Sequence, residues 1–450
     1  MKVLLFDIQA KNDKGCVNKD LAGGMGTRTW VGNSLRARIF EYVKKRNVIL
    51  PDITLAYLIA IFKKAGWEVE LVEVKDDNLK ISQADLALVH TSIVDCQNEL
   101  EIVKKIRQKG VKVGVYGTFA SAVPEYFSKD ADFVIKGEAE SGILKILEDK
   151  KIPEGIFEAE LIRNIDKLPF PDWNFFNINK FYYSPALNKK PVLTMLTSRG
   201  CPYTCRYYCP YTIMAGRMWR TRSVDNIMEE ILYLKKEYKI KAIDFRDAIF
   251  TLDKERIYKL CEKIKKEKIK ITWSCETRLD CLDKDLIKAM KSAGLKNFNI
   301  GIESSSEEIL KKSRRLPIKI NHQEEIIEYC HKNGISIAAF YILGLEDDTT
   351  ESINSTINYS QKLNTLVAQF SISTPYPNTE FYSKLSKEQR IIESNWQRYD
   401  SYTPVYRHNN IDKKDLLNLK EKAFVSYYFR LPYILKHMPK YVFEKFLWPY

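Results

Sequence analysis

Apolar residues along this chain follow two rhythms. Short continuous runs alternate with longer stretches whose apolar positions recur at helical spacing, and each change of rhythm marks an element boundary. Residues 3–8 open as a strand, 51–67 have helical spacing behind a proline, and 68–74 alternate as a strand. Further strands are expected at 86–91, 112–116 and 133–136, with helices at 99–109, 124–129 and 140–149. This succession predicts a Rossmann-like, doubly wound parallel sheet over residues 1–150, with its ligand beyond the carboxyl ends of the strands. Residues 151–190 read as a linker: Leu168-Pro169-Phe170-Pro171-Asp172-Trp173 has prolines at alternate positions, which stiffen an extended backbone and forbid a helix.

The alternation resumes at about Pro191. The apolar run 192–196 is followed by expected strands at 242–246, 271–275, 297–302, 336–343 and 368–373. Helices are expected between and after them at 226–238, 254–266, 284–293, 307–312, 324–333 and 350–363. Repeated strand and helix units over 191–385 predict an α/β partial barrel of (β/α)6 type, short of the closure a TIM barrel achieves. Residues 386–450 are left as a small helical region, with a helix at 416–428.

Composition narrows the class. A chain of 450 residues with 45% hydrophobic content is long enough for two or three cores. No apolar run reaches the roughly 18 residues of a membrane span, and Met1-Lys2-Val3-Leu4-Leu5 starts a strand rather than a signal peptide, so a cytoplasmic protein is expected. The formal charge of +14 is spread over helical stretches such as 235–241 and 263–270, which reads as solvated helix faces and not as a nucleic-acid surface. Nine cysteines are an odd count, and Cys16, Cys96, Cys261, Cys275, Cys281 and Cys330 are scattered, so a reducing compartment without a disulfide framework is expected.

The remaining three, Cys201, Cys205 and Cys209, stand in Thr197-Ser198-Arg199-Gly200-Cys201-Pro202-Tyr203-Thr204-Cys205-Arg206-Tyr207-Tyr208-Cys209-Pro210. With no fourth Cys or His beside them they do not close a structural zinc shell, but they can hold a four-iron cluster with one iron open to a ligand. The run resembles the cluster loop of radical S-adenosylmethionine (SAM) enzymes, whose open iron chelates the methionine moiety, and the incomplete barrel resembles their fold. One departure is visible. The family spacing is Cys-x3-Cys-x2-Cys, whereas here Arg206, Tyr207 and Tyr208 fill the second gap.

The resemblance implies roles for strand-end residues. Asp247 would receive the methionine amino group, Arg278 the carboxylate with Glu276 orienting it, Glu303 beside Ser304 the ribose hydroxyls, and Gly344 the adenine against its backbone. Asn378 stands where the family usually has glycine. Taken singly, each acid reads better as a helix cap or a loop ion pair; five strand ends in register are what argue against coincidence.

In the first segment, Gly114-Val115-Tyr116-Gly117 and Gly137-Glu138-Ala139-Glu140 look like parts of the cobalamin-binding domain that precedes many radical SAM domains. Gly23, Gly24, Gly26 and Gly117 would then allow close backbone approach to the corrin. The Asp-x-His-x-x-Gly motif that supplies a lower axial histidine is missing, and His90 reads as a satisfied strand-end residue.

The implied activity is cleavage of SAM to a 5'-deoxyadenosyl radical by a [4Fe-4S] cluster. Cobalamin would serve methylation of an unactivated carbon of a small-molecule or lipid substrate, with a flavodoxin- or ferredoxin-type electron donor. Ring-forming or oxidative radical chemistry is the alternative, and a cobalamin or metal sensor without turnover is the alternative from another class. The tail 429–450 mixes aromatics with Arg430, Lys436, Lys440 and Lys445, which suits a helical cap on the barrel's open edge or an interfacial segment against an anionic membrane.

Overall fold

The computed structural model describes residues 1–8, 19, 21–45, 48–74 and 79–437. Cys16, Asn18 and Asp20, and the tail residues 438–450 with Lys440 and Lys445, lie outside them.

Two parallel sheets organise the chain. The first contains β1 (Lys2–Ile8), β2 (Glu68–Val74), β3 (Leu86–His90), β4 (Val113–Tyr116), β5 (Phe133–Lys136) and β6 (Gly155–Glu158), in the order β2-β1-β3-β4-β5-β6. The order reverses between β1 and β3, where a doubly wound sheet opens its ligand crevice. Strand β6 falls inside the stretch expected to be linker. It pairs with β5 as an exposed edge and is too short and too solvated to show a buried-strand pattern.

The helices of this half are α1 (Leu35–Lys45), α2 (Ile53–Lys64), α3 (Cys96–Gln108), α4 (Thr118–Ala122) and α5 (Ala139–Asp149). The helix expected at 124–129 is only a 3-10 turn, Pro124–Tyr126; Gly117, at φ +119°, starts α4 directly after β4 instead. Helix α2 is capped by Asp52, which accepts from the Thr54 and Leu55 amides, and is buried on nearly all sides. It has to be, because it lies between the two halves: one continuous core runs from Leu5 through Tyr57 and Trp173 to Leu193 and Phe245.

The second sheet contains β7 (Val192–Met195), β8 (Ala242–Phe245), β9 (Thr272–Thr277), β10 (Leu295–Glu303), β11 (Ser336–Leu343) and β12 (Val367–Ile372), all parallel and in chain order. Its helices are α6 (Val224–Tyr238), α7 (Lys254–Lys266), α8 (Lys284–Ser292), α9 (Glu307–Lys312), α10 (Ile320–Lys332) and α11 (Thr350–Leu363). Strands β7 and β12 are its two free edges, so the sheet is a partial barrel. Helix α12 (Lys413–Tyr428) and the helical residues 431–437 close over the β12 side. There the Tyr433 hydroxyl donates to Leu366 O at 2.8 Å and Arg430 to Gln361 O at 2.6 Å.

Candidate functional site

The cysteine loop is built on the first barrel strand. Beyond β7, Ser198 and Arg199 pair antiparallel with Thr221 and Arg220, so residues 200–219 form a closed loop over the barrel's upper end. Gly200, at φ +85°, makes the turn; a Cβ there would lie 2.1 Å from Met218 O. The hairpin is held from two sides. From the barrel, buried Asp247 accepts from the Thr197 amide and hydroxyl and from the Ser198 hydroxyl, while Arg256 donates to Thr197 O. From the first half, Glu138 and Glu140 at the start of α5 pair with Arg220 and Arg199, all four side chains being buried.

The extra residue in the second gap has a local explanation. The Cys209 amide donates to Cys205 O at 3.0 Å, so the segment completes one helical turn, and residues that far apart fall on the same face. Burial pushes all three thiols up, and the charge of Cys205 adds to this at Cys201 and Cys209. Arg315 and Arg278 act in the opposite direction on Cys201 and Cys205. Among the described residues, no three metal-ligating side chains converge on a single-ion site. Three spaced thiols flanked by arginines fit a cuboidal cluster, whose corners take separate thiolates, better than one ion.

The strand-end residues form two groups. Glu303 and Arg246 border a cavity of about 790 Å³ that also reaches Cys209 and Tyr208. Glu303, at φ +65°, is held by Arg315 at 3.1 Å, and Arg315 also donates to Gly301 O at 2.6 Å. Arg246 pairs with Glu276 and was not singled out from the sequence, where it is one arginine among many. Arg278 is folded onto Asp280 and stacks on Tyr203 at 4.3 Å, yet its buried Nη1 lacks a hydrogen-bond partner. Ser304 lies within 3.4 Å of the Thr356 hydroxyl, and Gly344, at φ +74°, packs on Leu416 while its carbonyl accepts from Tyr406. Asn378 takes the left-handed turn at φ +63°. Asp247 differs from its expected role. It is fully buried beneath the cysteine hairpin, with both carboxylate oxygens used there.

A model of the radical SAM superfamily matches residues 195–359. Residues 195–359 of this chain are thus a radical SAM domain. The chain is 27% identical to an uncharacterised methyltransferase of Pyrococcus horikoshii, over 86% of this chain and 89% of that protein. It is also 24% identical to the anaerobic magnesium-protoporphyrin IX monomethyl ester cyclase of Rubrivivax gelatinosus, over 84% and 75% of the two chains. Its fold matches the radical SAM methyltransferase TsrM of Kitasatospora setae, solved with cobalamin and a [4Fe-4S] cluster bound, at a TM-score of 0.63 and 15% identity, over 86% of this chain and 75% of that one. A radical SAM domain is a [4Fe-4S] and SAM domain, and the thiols, the arginines and the cavity edge suit both groups.

The crest of the first half meets the radical SAM domain directly. A Cβ on Gly23 would lie 2.7 Å from Pro210 Cγ, and one on Gly24 would lie 2.3 Å from the Thr118 hydroxyl. The close approach these two glycines permit is therefore to protein, although Gly23 also borders the cavity. Gly26 has φ +85°, and Gly117 abuts His90. His90 is buried, bonds Asp52 through Nδ1 and stacks on Tyr116 at 4.8 Å, as a satisfied interior residue does.

Proposed function

We propose that this radical SAM enzyme uses cobalamin to methylate an unactivated carbon of a small-molecule or lipid substrate. The carrying observation is that one cavity touches the cysteine loop, the crest of the first half and the concave face of the barrel. When bound, the cluster supplies the electron that cleaves SAM to a 5'-deoxyadenosyl radical, and methylcobalamin supplies the methyl group.

The chain's own residues do the rest. Cys201, Cys205 and Cys209 would hold the cluster. Arg315 and Arg278 would offset the thiolate charge, Glu303, paired with Arg315, would bind the ribose hydroxyls, and the Arg246–Glu276 pair would orient the methionine end. Asp247 acts as a positioning residue, fixing the strand-to-loop turn from below. Gly26 and Gly117 would hold the corrin, and His90 is committed to Asp52. Thr27, Thr29 and Tyr376 line the cavity and would help exclude water from the reacting groups.

The cyclase among the relatives favours ring formation as the second reading. Anaerobic reconstitution with a flavodoxin or ferredoxin donor tests the first: 5'-deoxyadenosine should form from SAM, and a trideuteromethyl label on SAM should enter a product. Label-free product with 5'-deoxyadenosine formed assigns ring formation or oxidation, and absence of 5'-deoxyadenosine overturns both.

A further inference from the structure

The cavity is long, and its length is set by the sheet. Strand β12 lines it from Val367 at the strand's start to Ser373 and Thr374 just beyond its end, a span of roughly 20 Å at strand rise. Its upper end is the cysteine loop at Cys209 and Pro210. Its lower end lies between α1 and the helical residues 431–437, because Ile39 and Ile434 both line the cavity and are 49% and 37% exposed. The mouth is apolar outside as well: Leu35 and Tyr42 on α1 and Leu431 and Leu435 opposite are exposed. The walls between mouth and cluster loop are largely hydrocarbon, from Phe40, Val43, Phe340, Ile342 and Phe429.

The polar groups of the middle section are turned onto one another. Lys44 donates to Gln369 and to the Tyr402 hydroxyl, and Gln369 Nε2 donates to the same hydroxyl at 2.7 Å. Burial holds the Lys44 amine down at about 7, so near neutral pH it carries its charge only in part. A compact polar substrate would leave most of this lumen unfilled and most of its own polar groups unpaired. A linear hydrocarbon matches both the length and the lining.

We propose that the barrel lumen receives a long alkyl chain lengthwise through the mouth between α1 and residues 431–437, placing a carbon of that chain below Cys209 and Glu303. The inference rests on the radical SAM reading for the reaction and on the cavity alone for the substrate class. Its test uses the reconstituted holoenzyme and radiolabelled octan-1-ol, dodecan-1-ol and hexadecan-1-ol in equilibrium dialysis. Affinity should tighten by at least about tenfold at each lengthening, since each buried methylene adds to binding. Ala338→Trp, which plugs the lower lumen, should weaken hexadecan-1-ol by about a hundredfold and octan-1-ol far less. Ile434→Asp at the solvent-facing rim is the variant that leaves the core intact, and it should weaken the longest alcohol by about tenfold.

Affinity independent of chain length, or hexadecan-1-ol binding untouched in both variants at an unchanged melting temperature, overturns the proposal. Offering the same chain in phosphatidylglycerol vesicles separates sources: uptake with cosedimentation assigns a bilayer, uptake without it a soluble carrier, and no uptake from either source overturns the inference. 5'-Deoxyadenosine is measured on the same preparations. Its formation without chain binding removes the tunnel and leaves the radical SAM reading; length-dependent binding without it supports the tunnel and removes the reaction.

Discussion

The two sheets are both parallel and six-stranded, but they treat their faces differently. In the first, β3 is buried at every position and so is β4, because helices cover both faces. In the second, β12 alternates, with Ala368, Phe370 and Ile372 buried against helices and Val367, Gln369 and Ser371 only partly covered. Alternation is expected of a sheet with one face in water, yet these residues line an internal cavity. On β12, period two thus marks the face that borders the cavity, whereas the fully buried β3 and β4 border none.

The largest expected effect comes from the barrel's upper end. Cys205→Ala should abolish the charge-transfer absorption of the iron–sulfur cluster and SAM cleavage together, while the first half keeps its fold by circular dichroism. Retained iron and turnover would remove the cluster assignment. Next comes a direct trial of the two faces. Leu88→Ala in β3 should cost ~2–5 kcal/mol in denaturant unfolding, whereas Ile342→Ala on the lumen side of β11 should cost about 1 kcal/mol or less, because its side chain already borders empty space. Equal losses would break the comparison.

A smaller effect is expected at His90. His90→Ala leaves the buried carboxylate of Asp52 without its partner and should cost ~1–3 kcal/mol, with cobalamin uptake unchanged. A loss of nitrogen splitting in the cobalt(II) electron paramagnetic resonance spectrum on this substitution would instead make His90 a ligand. The smallest effect is a pH slope. Lys44 is depressed from 10.5 to about 7 by burial, so between those values the unfolded chain binds the extra proton and stability rises with pH. Lys44→Met should flatten that rise and leave the Gln369–Tyr402 bond; an unchanged slope between pH 7 and 10 would show that the amine stays charged.

Much of the fold was legible. The strands at 68–74, 133–136 and 336–343 and the helices at 254–266, 307–312 and 350–363 fall where their periodicity places them, since each buries one face against its own sheet. Helix α1 was not legible: of its residues only Ala37 is buried, and its apolar positions face a cavity and a mouth rather than a core. The membrane-facing alternative for the tail is only partly within the described residues, where Tyr433 and His437 bind the barrel at Leu366 and Asn364. No helix among the described residues is long and apolar enough to cross a membrane.

The sequence by itself determined the local matters: the order of strands and helices, the three thiols after the first barrel strand, and the missing histidine motif, all of which depend on neighbours in the chain. Tertiary structure alone decided which charges meet. Glu138 and Glu140, read from sequence as part of a cofactor-binding motif, clamp Arg220 and Arg199 of the cysteine hairpin, and Asp247 lies under that hairpin instead of facing the cavity. Arg246, Lys44 and Gln369 join the cavity for the same reason. A carboxylate or an amine looks alike in any loop, and only the packing of distant segments fixes whether it is desolvated, paired or turned toward a ligand.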